Sequence, residues 1–265
     1  MIVLLNSSKT LDTQLPARIP KHSVPEFSAE CAILVKALRN LSVSELAALM
    51  GISEKLAVLN AERYRNWQTH PGPANSKQAL LAFKGDVFEA MDIESYTLKT
   101  FNYAQQHLRI LSGLYAVLRP LDLIQPYRLE MATKLSAGGS ENLYEFWGDK
   151  IHQSLNDLLR REKSGILVNL ASLEYFKAVK ADRLKATVIT PVFKEQRGSG
   201  YRVVAIYAKK ARGRMCDFIV RKQIERPEDL RSFNLNGYRF RAELSTDTQW
   251  VFGRTSRDIG RTKKQ

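Results

Sequence analysis

ATVITPVFKEQRGSGYRVVAIYA, residues 186–208, is the stretch on which the fold class turns. Residues 186–195 and 201–208 are rich in β-branched and aromatic side chains, and Gly198, Ser199 and Gly200 stand between them. Two such runs joined by a glycine-rich turn read as an antiparallel hairpin. A helix is expected to follow over 209–225, then a helical turn after Pro227. Strands near 237–243 and 249–253 complete the C-terminal half.

Upstream, GILVNLAS (165–172) reads as a buried strand with a polar exit. LYEFWGDKIHQSLNDLLRRE (143–162) reads as one helix, with Leu143, Trp147, Ile151, Leu155 and Leu159 on an apolar stripe. Residues 28–39 and 101–110 also have helical character. ALLAFKGDVF (79–88) contains a short strand ending at Gly85, and IVLL (2–5) is a buried strand. Strands and helices are mixed in irregular order, with no regular βαβ alternation. The expected class is α+β: a single compact sheet-and-helix domain over 1–265, with no doubly wound sheet. The tail 254–265, RTSRDIGRTKKQ, reads as a frayed basic arm.

Charge is the unusual feature of the composition. There are 41 Lys and Arg against 27 Asp and Glu, a net charge of +14. Residues 177–222 alone hold 13 basic and 3 acidic residues, so one segment supplies most of the excess. A surplus so concentrated points to a polyanionic partner, nucleic acid first, with a solvated basic face as the plain alternative. Two cysteines, Cys31 and Cys216, make no disulfide framework and suit a reducing compartment. Without a signal peptide or a long apolar run, the expectation is a cytoplasmic chain with no membrane contact.

LAALMGISEKLAVLNAERYR (46–65) is two short helical patterns that reverse at Gly51. Ser42 and Glu45 form a capping-box signature ahead of the first. The hairpin, spanning 42–67, matches the helix-hairpin-helix pattern through Leu46, Leu49, Gly51, Ile52, Ser53 and Ala57. Ser53 stands where a second glycine is usual, and Met50 where proline is frequent. Such a hairpin holds DNA by backbone N–H groups at a helix start, where the dipole favours an anion. Ile52 would anchor the turn, and Lys55, Arg63 and Arg65 could add charge. An ordinary helical hairpin with glycine at its turn remains open. In YAKKARGRMCDFIVRK (207–222), Ala211, Met215, Phe218 and Ile219 point to the core, while Lys210, Arg214 and Arg221 form a basic stripe. Gly213 weakens this helix, and its use would be close approach by another backbone or a ligand.

Taken together, KTLD (9–12), AFKGDVF (82–88), the long run 101–131, LYEFWGDKI (143–151), VNLASLEYFKAVK (168–180) and FKEQRG with AIYAKKARGRM (193–215) resemble the YaaA family of peroxide-stress proteins. The resemblance covers nearly the whole chain. It implies a compact α+β unit with a basic cleft and a helix-hairpin-helix element. It also implies binding to double-stranded DNA and protection from hydrogen peroxide, linked to limiting free intracellular iron. By matching motif, Lys9, Lys84, Arg128, Lys177, Lys209, Lys210, Arg212 and Arg214 become cleft candidates. The family wording before the lysine is Ser-Pro-Ala, and here it is Asn6, Ser7 and Ser8.

The expected mechanism is recognition by shape and charge. The Gly51, Ile52 and Ser53 amides seat one phosphate run and the basic segment lines a second surface, favouring bent or junction DNA. The alternative is a cleft enzyme acting on damaged DNA or a small anionic substrate. In the damaged-DNA form, Lys55 would form a Schiff base with the sugar, as in glycosylase–lyases, but no Asp occurs in 56–85. Glu174 with Lys177, Lys84 with Asp86 and Arg128 with Glu130 are pairs that could orient a phosphate or be structural. His22, His70, His107 and His152 are scattered, as are the cysteines, so no metal or cofactor is expected. No nucleotide-binding glycine motif is present, and no protein partner is evident.

Overall fold

The computed structural model describes residues 1–15, 19–198, 200–255 and 258. Its strands are β1 (Ile2–Asn6), β2 (Lys77–Gln78), β3 (Leu108–Ser112), β4 (Ala116–Leu118) and β5 (Leu123–Ile124). The second half adds β6 (Ile166–Asn169), β7 (Thr187–Arg197), β8 (Gly200–Arg202), β9 (Arg239–Phe240) and β10 (Gln249–Arg254). The α-helices of the first half are α1 (Ser28–Arg39), α2 (Val43–Met50), α3 (Glu54–Asn66), α4 (Ala79–Ala82) and α5 (Leu98–His107). They are followed by α6 (Leu143–Trp147), α7 (Lys150–Glu162), α8 (Leu173–Lys177) and α9 (Ala205–Lys222).

The main sheet runs β4-β3-β1-β6-β7-β10-β9, with β8 on β7. The mixed sheet and irregular helices fit the α+β class. Its centre differs from the sequence expectation: β3, β1, β6, β7 and β10 are all parallel, and only β4, β8 and β9 are antiparallel. Parallel strands are covered on both faces and read as continuous apolar runs. Leu108 through Ser112 of β3 are all buried, as are the first four residues of β1.

The expected hairpin exists, with Glu195 opposite Arg202, but its second arm ends at Arg202 and α9 starts at Ala205. Ser199 lies outside the described residues. The longer arm, β7, is an inner strand of the sheet. It tolerates Pro191 because of where the N–H would face. Thr190 donates to Thr248 on the β10 side, so the group that Pro191 lacks faces β6, whose pairing ends at Ile189.

Three other elements depart from their sequence expectations. The stripe over 143–162 is two helices, because Gly148 sits at φ 49, ψ −113 and breaks it. Residues 79–82 are helical, not a strand. Residues 108–110 leave α5 and enter β3. Of the tail, only Arg254, Thr255 and Asp258 fall among the described residues. No helix among them is long and apolar enough to cross a membrane.

The hairpin at Gly51 forms as its local chemistry dictates. The Ser42 hydroxyl accepts from the Glu45 N–H, and the Glu45 carboxylate accepts from the Ser42 N–H at 2.7 Å. The Ser42 hydroxyl also donates to that carboxylate at 2.7 Å, and this bond, then the one from the Ser42 N–H, holds the Glu45 carboxyl below its usual range. Gly51 closes α2 at φ 59, ψ 47, and the Ile52 N–H reaches back to the Ala47 carbonyl at 3.1 Å, a Schellman closure. Leu46, Ala57 and Tyr64 are buried, whereas Leu56 faces solvent. Replacing Ser42 with alanine removes the cap and should cost about 1 kcal/mol in urea unfolding. An unchanged midpoint would show that packing alone holds α2.

Candidate functional site

The chain passes from β1 outward to β3, then returns across β1 to β6 and on to β7 and β10. The order therefore reverses beside β1. In open α/β sheets, the crevice outside the carboxyl ends of the strands at such a reversal is where ligands bind. A cleft of about 410 Å³ lies there. Asn6, Ser7 and Ser8, which follow or end β1, meet Ser172, Glu174 and Tyr175, which follow β6. The Asn6 side-chain oxygen accepts from the Ser172 N–H at 2.8 Å, and Ser7 donates to the buried Tyr175 hydroxyl at 3.2 Å, tying the two exits together.

The far wall comes from residues 84–88 and from α9. Gly85 has φ +100, and a Cβ there would lie 2.9 Å from the Ser8 hydroxyl. That close approach makes the rim. Lys209 and Arg212, one turn apart on α9, complete the lining.

Cations and carboxylates share this space. Glu130 holds Lys9 at 3.0 Å and Arg128 at 3.1 Å. Lys84 stands 3.9 Å from Asp12, which pairs more closely with Lys77 at 2.9 Å. The Gln14 N–H and then Lys77 hold the Asp12 carboxyl below its usual range. Asp86 faces Lys210 at 3.9 Å, and Glu174 accepts from the Ala132 N–H. Arg212 is half-buried and has no hydrogen bond or ion pair among the described residues. Burial alone lowers its pKa.

Of the sequence candidates, Lys9, Lys84, Lys209 and Arg212 line the cleft. Arg128 braces it from behind Glu130, and Lys210 does the same behind Asp86. Lys177 instead sits over the Tyr144 ring at 5.0 Å. Arg214 lines a separate hollow with Tyr207, Tyr238 and Arg254. Gly51, Ile52, Ser53 and Lys55 are not among the cleft's lining residues; the hairpin approaches it through the C-terminal part of α3. There Tyr64 donates to the Arg128 carbonyl, and Arg63, half-buried, lies beside the Arg128 charge. Arg39 caps that end of α3 through the Tyr64, Arg65 and Trp67 carbonyls.

The expected basic cleft thus meets a cleft of mixed charge, walled in part by Asp86, Glu130 and Glu174. The basic stripe on α9 is also shortened. Arg221 is held by Asp217 at 2.9 Å and Asp92 at 2.8 Å. Asn6 and Ser172 had no place among the sequence candidates. Their signal was an apolar strand ending in small polar residues, legible only once β1 and β6 are known to be parallel neighbours.

Both cysteines are buried, and burial pushes each thiol well above its usual range. Among the described residues no group of three His, Cys, Asp or Glu side chains is placed to hold a metal ion.

A family model described as peroxide stress protein YaaA matches residues 1–244. A UPF0246 protein of Ralstonia nicotianae is 49% identical over 254 residues, covering 96% of this chain and 99% of that protein. A UPF0246 protein of Janthinobacterium sp. is 49% identical over 254 residues, covering 96% and 98%. One from Paraburkholderia phytofirmans is 46% identical over 256 residues, again covering 96% and 98%.

Proposed function

The chain belongs to the YaaA family of peroxide stress proteins, and from that premise we propose that it binds double-stranded DNA by shape and charge. Binding would limit iron-dependent oxidative damage by occupying the duplex. The observation that carries this reading is the 177–222 segment, whose exposed Lys209 and Lys210 extend from the cleft along α9. The start of α3 adds to it. Ser53 has the backbone of an N-cap but makes no side-chain bond to the helix, so the first N–H groups are left for water or a phosphate. Arg63, beside Arg128, links the hairpin to the cleft. The thiols point the same way: buried and held as SH, they are poor reactants for peroxide, since the thiolate is the nucleophile.

A DNA titration across salt tests the reading. Binding through several phosphates should give a log–log slope of about −0.9 per phosphate contact on duplex DNA. Replacing both Lys55 and Arg63 with glutamine should lower that slope by about two contacts, with little change in sequence preference. A four-way junction should bind more tightly than a linear duplex at matched salt. A flat salt dependence, or a double variant with the wild-type slope, would remove the proposal.

The second reading is a cleft enzyme, favoured by one observation: the cleft lies at the reversal of strand order, where α/β enzymes place their ligands. The Lys55 form of that reading gains nothing from the geometry, since Lys55 is exposed and does not line the cleft.

A further inference from the structure

The charge around the cleft does not close on itself. Glu130 already holds two cations, Asp86 faces Lys210, and Glu174 takes a backbone amide. Glu130 and Asp86 therefore have cationic partners, while Glu174 is held by a backbone amide. On the cationic side, neither Arg212 nor Lys209 has a hydrogen bond or ion pair among the described residues. Both line the cleft from the same face of α9.

The Arg212 guanidinium is drawn partly out of water and has no protein acceptor among the described residues, which leaves it open to an incoming anion. The helix that carries it is also closely packed. Gly213 brings the α9 backbone so near Val87 that a Cβ would lie 1.9 Å from the Val87 carbonyl oxygen. That contact fixes Arg212 and its neighbours against the 84–88 wall.

We propose that this cleft binds a phosphate monoester of small-molecule size, its dianion seated between the Arg212 guanidinium and the Lys209 ammonium. Two uncompensated positive charges match a dianion better than the single charge of a phosphodiester. The planar fork of arginine suits two phosphate oxygens at once, while lysine serves as a point charge. A volume of about 410 Å³ lies at the lower end of the usual ligand range, roughly 300–1,000 Å³. It admits a mononucleotide and excludes a duplex. Asn6, Ser7, Ser8 and Ser172 supply side-chain amide and hydroxyl groups around the remainder. The same monoester chemistry occurs on a free nucleotide and on the 5′-phosphate of a DNA strand end. Neither source requires the duplex surface proposed above, so the two readings stand or fall separately.

Calorimetric titration of the full chain decides it, with deoxyadenosine monophosphate, deoxyadenosine, and a short oligonucleotide duplex with either a 5′-phosphate or a 5′-hydroxyl end. The monophosphate should bind at least about tenfold more tightly than the nucleoside. Its affinity should rise as pH passes the second phosphate ionisation, roughly pH 6. Arg212→Gln should lose about tenfold or more and Lys209→Gln several-fold, with Lys99→Gln, an exposed change on α5 away from the cleft, leaving binding unchanged. Neither Arg212 nor Lys209 has a hydrogen bond or ion pair to lose among the described residues, so both variants should keep the wild-type melting temperature. If Arg212→Gln misfolds, Lys209→Gln decides alone. Tighter binding of the 5′-phosphorylated duplex than of the 5′-hydroxyl duplex supports the strand-end source, and equal binding of the two duplexes supports the free nucleotide. Equal affinity for monophosphate and nucleoside, no rise with pH, or wild-type affinity in the Arg212 or Lys209 variant would overturn the proposal.

Discussion

Gly213→Ala should destabilise the protein by about 3 kcal/mol or more, the upper part of the range for overpacking a tight contact. Two effects compete. Alanine is the better helix former by about 1 kcal/mol, and on an exposed helix it would stabilise. Here the added Cβ would lie 1.9 Å from the Val87 carbonyl oxygen and 3.0 Å from the Ala90 Cβ. The first obstacle is backbone, which cannot rotate aside as a flexible side chain would. The clash wins, and either α9 or the 84–88 segment must move. Denaturant unfolding measures the loss, and the same variant should bind phosphate monoesters more weakly because Arg212 rides on α9. A Gly213→Ala protein as stable as wild type would mean that α9 does not press on Val87.

Arg254→Ala should cost about 3–5 kcal/mol, the usual penalty for breaking one side of a buried ion pair. The Arg254 guanidinium donates to both Glu195 oxygens at 2.9 and 2.8 Å, and the two residues are 8% and 3% exposed. Tyr238 donates to the same carboxylate, and its ring lies 4.5 Å from the guanidinium, with the Tyr207 ring at 4.9 Å. The pair ties β7 to β10 and, through Tyr207, to α9. Removing the arginine leaves the Glu195 carboxylate buried with only the tyrosine hydroxyl. The double change Arg254→Met with Glu195→Gln should recover much of the loss, because no uncompensated charge then remains. If Arg254→Ala unfolds at the wild-type denaturant concentration, water already reaches Glu195.

Local elements were legible in the sequence where one residue governs one contact. Ser42 and Glu45 announced their reciprocal cap, Gly51 its left-handed turn, and Gly213 a backbone pressed against the helix. What stayed hidden depends on pairing across the chain. Val3 lies opposite Leu108 and Ile2 opposite Leu167, and no local pattern states that these partners are parallel. The crossovers also disguise themselves: only the five-residue α8 and a single 3-10 turn separate β6 from β7, far short of the helix that βαβ alternation leads one to seek. Gly148 hid in a continuous apolar stripe because the stripe resumes on α7. The candidate site was half visible for the same reason. Its lysines and arginines came with the family motifs, while the strand exits that form its floor needed the topology. For Arg221 the local partner, Asp217 one turn back on α9, was legible, while the second, Asp92, lies 129 residues away in sequence.

The placement of β1 also bears on how the molecule is made. β1 is synthesised well ahead of its neighbours, since Leu108 and Leu167 follow more than a hundred residues later. At translation rates of roughly 5–20 residues per second, its oily surface waits of order 5–20 s before even β3 arrives. During that interval the native sheet cannot cover Ile2, Val3, Leu4 and Leu5, and their apolar surface stays open to wrong contacts.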